Sequence, residues 1–278
     1  MDILSFLLLP FLAGLVLTGI HAYLGVHVVE RGVIFVDLSL AQIAALGTTV
    51  ALLAGHDLHS GVSYFWSLGF TILGAAIFAL TRVHRETRIP QEAIIGIVYA
   101  VSAAAAILVM SKAPQETEHL KDMLVGNILA VNTYTVVKTA VLYTLVGLFH
   151  FIFRKKFLAI SVGAHNGTVE SIPNVKLWDF LFYTSFGFVV TSSVAIAGVL
   201  LVFSYLIVPS VSAMLFTYSI GKRLAIGWSM GTIVTALGIY LSFQIDLPTG
   251  ATIVCTFGIA LLLLAIVRLF VRNGTQPA

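Results

Sequence analysis

Seven stretches of about 20 residues, near 4–26, 33–54, 62–81, 92–111, 134–153, 225–243 and 251–271, are almost free of charge. An eighth, 179–212, stays apolar for longer than one span requires. Roughly 20 mostly apolar residues, rising 1.5 Å each, cross the ~30 Å hydrocarbon layer of a bilayer. Inside that layer the backbone must satisfy its own polar groups, which leaves helices or a closed barrel. The ten-residue alternation of a barrel strand does not occur in these stretches, so they are read as helices. Composition agrees: 59% of the 278 residues are apolar and only 10% charged, where soluble domains carry about 25% charged residues. A soluble enzyme, a nucleic-acid-binding domain and a disordered chain are thereby disfavoured. Cys255 is the single cysteine, which excludes an intramolecular disulfide and a Cys-rich zinc cluster. The expectation is an all-α polytopic transmembrane bundle of eight or nine membrane helices, in one domain over 1–278. Only Asp2 precedes the first stretch, without the basic segment of a cleaved signal, so that stretch is expected to remain as a helix.

The basic residues set the orientation. If the helices alternate, Arg31, Arg82, Arg85, Arg88, Arg154, Lys155, Lys156, Lys176, Lys222, Arg223, Arg268 and Arg272 share one side, twelve of the fifteen. Lys112 and Lys121 fall on the other, and Lys138 lies just inside a span. The larger set marks the cytoplasm, which puts the N-terminus outside and the C-terminus inside. Lys176 and Lys222 are then both cytoplasmic, so 179–212 crosses an even number of times. Two full spans need roughly 40 residues, more than this stretch offers. A broken hairpin of two short helices, split near Gly187 to Gly198, is expected.

Polar groups within spans are costly and concentrate at functional sites. Asp37, about five residues into the second span, is the main one, with Ser39 and Gln42 on the same helix. Asp37 and Gln42 are about 140° apart around the helix and do not share a narrow face. Either interhelical packing or a substrate path accounts for them. His21 and His27 lie on the first span near the same membrane side, where imidazole could ligate a transition metal or simply hydrogen-bond at the interface. On the outer side, His56, Asp57 and His59 crowd one turn, and Glu116, Glu118, His119 and Asp122 crowd a loop. Each is read as an exposed polar segment, with metal capture or partner docking as the alternative. There is no G-x-x-x-x-G-K-[ST] phosphate loop, no G-x-S-x-G elbow and no H-E-x-x-H motif. The chain is therefore not expected to bind and hydrolyse ATP by that route, and no catalytic constellation points to an enzyme.

Three stretches carry a resemblance. Leu24-Gly25-x-x-Val28-Val29-x-Arg31 leads into Asp37 and the run LAQIAALG. Leu124-Val-Gly126-Asn127-Ile-Leu-Ala130-Val131 follows. Then come Gly198-Val-Leu-Leu, Tyr205-Leu-Ile-Val-Pro209-Ser-Val-Ser-Ala213, and Asp246-Leu-Pro248-Thr-Gly250-Ala251. In this order the sequence resembles the membrane permeases of zinc- and manganese-type ABC importers, relatives of the vitamin B12 and siderophore permeases. The resemblance implies a homodimer or a pair of like permeases, two cytoplasmic ATPase subunits and an extracytoplasmic metal-binding protein. It implies no permanently bound cofactor; the divalent metal is cargo. It also implies a short coupling helix near 210–224, with Met214, Leu215, Phe216 and Tyr218 as knobs flanked by Lys222 and Arg223.

The metal site departs from the family pattern. That pattern is Gly-Asp-x-x-x-His in the second span, with Asp and His one turn apart. Here Asp37 stands at the Gly position, Leu38 at the Asp position and Gln42 at the His position. Moving a carboxylate by one residue rotates it about 100°, and an amide offers only a hard carbonyl oxygen in place of imidazole nitrogen. Asp37, Gln42, Ser39 and His21 are the candidate cargo-binding residues. The alternatives are a path for a metal chelate or cofactor, or an ATP-independent secondary transporter, which would show inverted repeats or more paired intramembrane charges.

Overall fold

A computed structural model describes residues 3–57, 60–82, 89–112, 126–166 and 172–273. Among them are nine α-helices and no strand. These are α1 (Ile3–Arg31), α2 (Val36–Leu53), α3 (Gly61–Leu80), α4 (Gln91–Met110), α5 (Thr133–Ile152), α6 (Arg154–Asn166), α7 (Val175–Met214), α8 (Ile220–Ile245) and α9 (Thr249–Asn273), with a 3₁₀ turn at Ile128–Ala130 before α5. All but α6 are long and apolar enough to cross a membrane, so the expected all-α polytopic bundle is what the chain forms.

The helix ends follow from local chemistry. Gly32 ends α1 with φ +66°, a left-handed conformation that a side chain would disfavour. Ser60 caps α3, its Oγ accepting the Ser63 N–H at 3.1 Å. The carbonyl of Asp57 accepts the Ser63 hydroxyl at 2.6 Å. Asp57 thus serves the start of α3 through its backbone; Leu58 and His59 lie outside the described residues.

Helix α7 has 40 residues and one non-helical residue, Gly198, with φ 73° and ψ 162°. That region of backbone space is essentially closed to L side chains. The break thus falls at the C-terminal limit of the expected interval, and Gly187 lies in regular helix, where its missing side chain makes room for Thr71. The first half, 175–197, is about 34 Å long and the second, 199–214, about 24 Å. The first half is therefore longer than the short helix expected. The apolar stretch alone was too short for two spans, but the helix also takes in Val175–Trp178 and ends two residues later, at Met214. Trp178 joins because it packs on Phe153 and Phe157, at 5.3 and 5.8 Å between ring centroids.

The chain forms two compact units. The first comprises 1–29, 125–141 and 196–278. Within it, Gly25 of α1 comes so close to the Leu206 carbonyl of α7 that any Cβ would clash. The Ser210 hydroxyl reaches the Ala22 carbonyl at 3.3 Å, and the Trp228 indole N–H donates to the Gly19 carbonyl at 2.9 Å. The backbone at Gly126 (φ +63°) runs directly against Ala197 and Gly198, so the loop before the 3₁₀ turn seats in the break of α7. The second unit comprises 30–124 and 142–195. There Ser67 of α3 donates to the Ala44 carbonyl of α2 at 2.9 Å, and Thr71 meets Thr191 at 3.2 Å. Helix α6, a 13-residue basic segment outside the expected spans, buries Phe157, Ile160 and Ser161.

Candidate functional site

Asp37 occupies the first turn of α2 and is 1% exposed. Its Oδ1 has no hydrogen-bond partner among the described residues, and neither has the buried Oγ of Ser39. Two residues apart on a helix, these groups point about 160° from each other, so α2 offers oxygen ligands on two faces. Gln42 is half-buried one turn further on. A carboxylate near a helix N-terminus is favoured by the helix dipole, and α2 is held there by its neighbour. Phe35 supplies no side-chain cap, so Glu92 of α4 reaches across and accepts the Phe35 N–H at 2.9 Å.

Hydroxyls line the second unit. The Tyr143 phenol of α5 meets Ser193 of α7, and Ser192 donates to it at 3.2 Å. Asp37 and Tyr64 both lie within electrostatic reach of that phenol. Two turns earlier in α7, Ser185 pairs with His150 Nε2 at 2.8 Å, and the imidazole is stacked on Phe157 at 4.3 Å. His150 is thus engaged in packing.

His21, the remaining cargo-site candidate, belongs to the first unit. It is fully buried, with Nδ1 bonded to the Leu17 carbonyl at 2.8 Å. His27 of the same helix packs edge-on to Tyr23 at 4.7 Å. Asp37, Ser39 and Gln42 therefore share one helix of the second unit, and His21 does not belong to that unit. Among the described residues no three His, Cys, Asp or Glu side chains are grouped as metal ligands. The outer loop with Glu116, Glu118, His119 and Asp122 lies outside the described residues.

Sequence reasoning missed the most heavily paired carboxylate. Asp179, at the start of the 179–212 stretch, is 1% exposed. Its Oδ1 accepts from Arg31 Nη1 at 2.7 Å and its Oδ2 from Arg82. Arg31 also donates from Nε to Ser161 of α6 at 2.9 Å and lies 3.8 Å over the Phe182 ring. The ends of α1 and α3, the start of α7 and helix α6 are tied by this one group. A lone acid at the edge of an apolar stretch, on the side where arginines gather, was the available signal.

The expected short helix over 210–224 is not a separate element. Helix α7 continues to Met214, residues 215–219 turn, and α8 begins at Ile220. Arg223, which flanks the turn, is buried. It is 5% exposed, and its Nε donates to the Thr217 carbonyl at 2.9 Å, which tightens the turn. Lys222 and Phe216 are exposed, Met214 and Leu215 half-buried, and Tyr218 is 94% exposed.

Comparison with known proteins fits this architecture. The chain is 27% identical over 237 residues to the manganese transport system membrane protein MntC of Listeria monocytogenes, covering 81% of each chain. It is 27% identical over 206 residues to the chelated iron transport system membrane protein YfeC of Yersinia pestis, covering 72% of this chain and 69% of that one. Its fold matches PsaBC from Streptococcus pneumoniae, solved in complex with Fab, with a TM-score of 0.75, 22% identity and coverage of 95% of this chain and 93% of that one. The profile of the ABC 3 transport family matches residues 4–268, and the chain belongs to that family.

Proposed function

We propose that the chain is the membrane permease subunit of an ABC importer that carries a divalent transition metal (zinc, manganese or iron) into a bacterial cell, powered by separate ATPase subunits. The observation that carries this reading is Asp37, a buried carboxylate with an unpartnered oxygen in a helix of a metal-transport-like bundle. Burying an ionised carboxylate without a partner costs several kcal/mol, which a passing cation would offset while it is bound. The hydroxyls of Tyr143, Ser192 and Ser193 supply a polar surface that replaces part of the cation's water.

The N-terminus lies outside and the C-terminus inside, following the basic residues. The turn at 215–219 then faces the cytoplasm, and Tyr218, Phe216 and Lys222 are the contacts through which ATP binding and hydrolysis in the partner reach this chain. Two copies, or this chain and a like permease, enclose the path, and an extracytoplasmic binding protein delivers the cargo.

A second reading, transport of a metal chelate, is favoured by Gln42 standing where the family pattern has an imidazole. Uptake by the reconstituted permease–ATPase complex separates the two, using free zinc, manganese and ferrous ions against a ferric chelate. ATP-dependent accumulation of a free ion supports the main reading, and accumulation of the chelate alone supports the second. Accumulation that needs no ATPase would overturn both.

A further inference from the structure

The junction of α5, α6 and α7 carries a surface that the transport reading does not use. Leu145, Leu148 and Ile152 are exposed along one side of α5, a spacing of one and two turns, and Phe151 is exposed beside them. This apolar stripe runs without a break into Arg154, Lys155 and Lys156, all exposed at the start of α6. Lys176, also exposed, stands in the first turn of α7, two residues before Trp178. The Phe153–Trp178 and Phe157–Trp178 contacts hold that turn beside the junction. Arg154 is positioned in advance: it donates to the Phe151 carbonyl at 3.0 Å, and its guanidinium lies 4.4 Å over the Phe151 ring. The nearest buried acid, Asp179, is occupied by Arg31 and Arg82 and offers these cations nothing.

We infer that Arg154, Lys155, Lys156 and Lys176 form a binding site for anionic phospholipid headgroups of the cytoplasmic leaflet. The continuity of charge with exposed apolar surface selects the occupant. A lipid places its acyl chains on the Leu145–Ile152 stripe while its phosphate meets the cations. An acidic soluble partner would satisfy the cations alone. Aromatic rings belong at this depth, and juxtamembrane basic clusters recognise anionic leaflets. The placement in the cytoplasmic leaflet rests on the proposed orientation. The lipid preference itself does not.

The test uses the intact transporter complex in nanodiscs containing equal amounts of phosphatidylglycerol and phosphatidylcholine, with retained lipid measured by native mass spectrometry. The intact complex should retain phosphatidylglycerol at least about fivefold over phosphatidylcholine, since one cation near a charged surface is worth about that factor. A variant combining Arg154→Ser, Lys155→Ser, Lys156→Ser and Lys176→Ser should fall to parity, and Lys155→Ser alone should lose part of the preference. Equal retention by the intact complex overturns the proposal. So does a fourfold variant that keeps its preference but loses the ATPase subunits, which would make the patch a protein dock. Labelling of Lys155→Cys in cells with a membrane-impermeant maleimide tests orientation separately.

Discussion

Two aspartates of the second unit are buried to the same 1% and treated in opposite ways. Asp179 receives a guanidinium on each oxygen, and one of those guanidiniums is itself bonded to Ser161 and stacked on Phe182. Asp37 has an oxygen with no partner among the described residues. A fold selected only for stability would neutralise both, because an unpaired buried charge is among the most expensive features a protein can carry. The difference separates roles. Asp179 is structural, binding the ends of three membrane helices and α6 into one piece. Asp37 has no such partner for its Oδ1 among the described residues, and the proposed function assigns that oxygen to the cargo.

Substitutions that distinguish the two sites rank clearly on a stability scale. Asp179→Ala leaves Arg31 and Arg82 facing each other without a counter-charge. It should destabilise the protein by about 3–5 kcal/mol, seen as a large loss of purified yield and of thermal unfolding midpoint in detergent. Arg82→Gln removes the more accessible of the two guanidiniums, at 21% exposure. Solvent screens part of that pair, so the loss should be about 1–2 kcal/mol and should shrink in high salt. Glu92→Gln weakens the charge-assisted bond at the start of α2 and should cost about 1 kcal/mol or less. It should also lower uptake if the placement of Asp37 depends on that cap. Asp37→Asn keeps the shape and removes an uncompensated charge, so the unfolding midpoint should stay level or rise.

Much of this was visible in the sequence. The spans expected at 33–54, 62–81, 92–111 and 134–153 agree within a few residues with Val36–Leu53, Gly61–Leu80, Gln91–Met110 and Thr133–Ile152. Asp37 stands out because a carboxylate among some 20 apolar residues is costly, although the sequence leaves interhelical packing and a substrate path both open. What escaped was what depends on distant partners. Asp179 pairs with residues 97 and 148 positions away, and no local pattern reports that. Helix α6 escaped because its buried side is narrow, resting on Phe157 and Ile160, and faces protein rather than lipid. That the Arg223 guanidinium finds the carbonyl of Thr217 within the turn is likewise a contact the sequence does not show.

The account stands most directly on uptake by Asp37→Asn in proteoliposomes holding the permease with its ATPase subunits and binding protein. Metal accumulation should drop to the background of ATP-free vesicles, while complex yield matches that of the unsubstituted protein and the unfolding midpoint is level with it or higher. Accumulation at the unsubstituted rate would contradict the account and return Asp37 to the status of a packing residue.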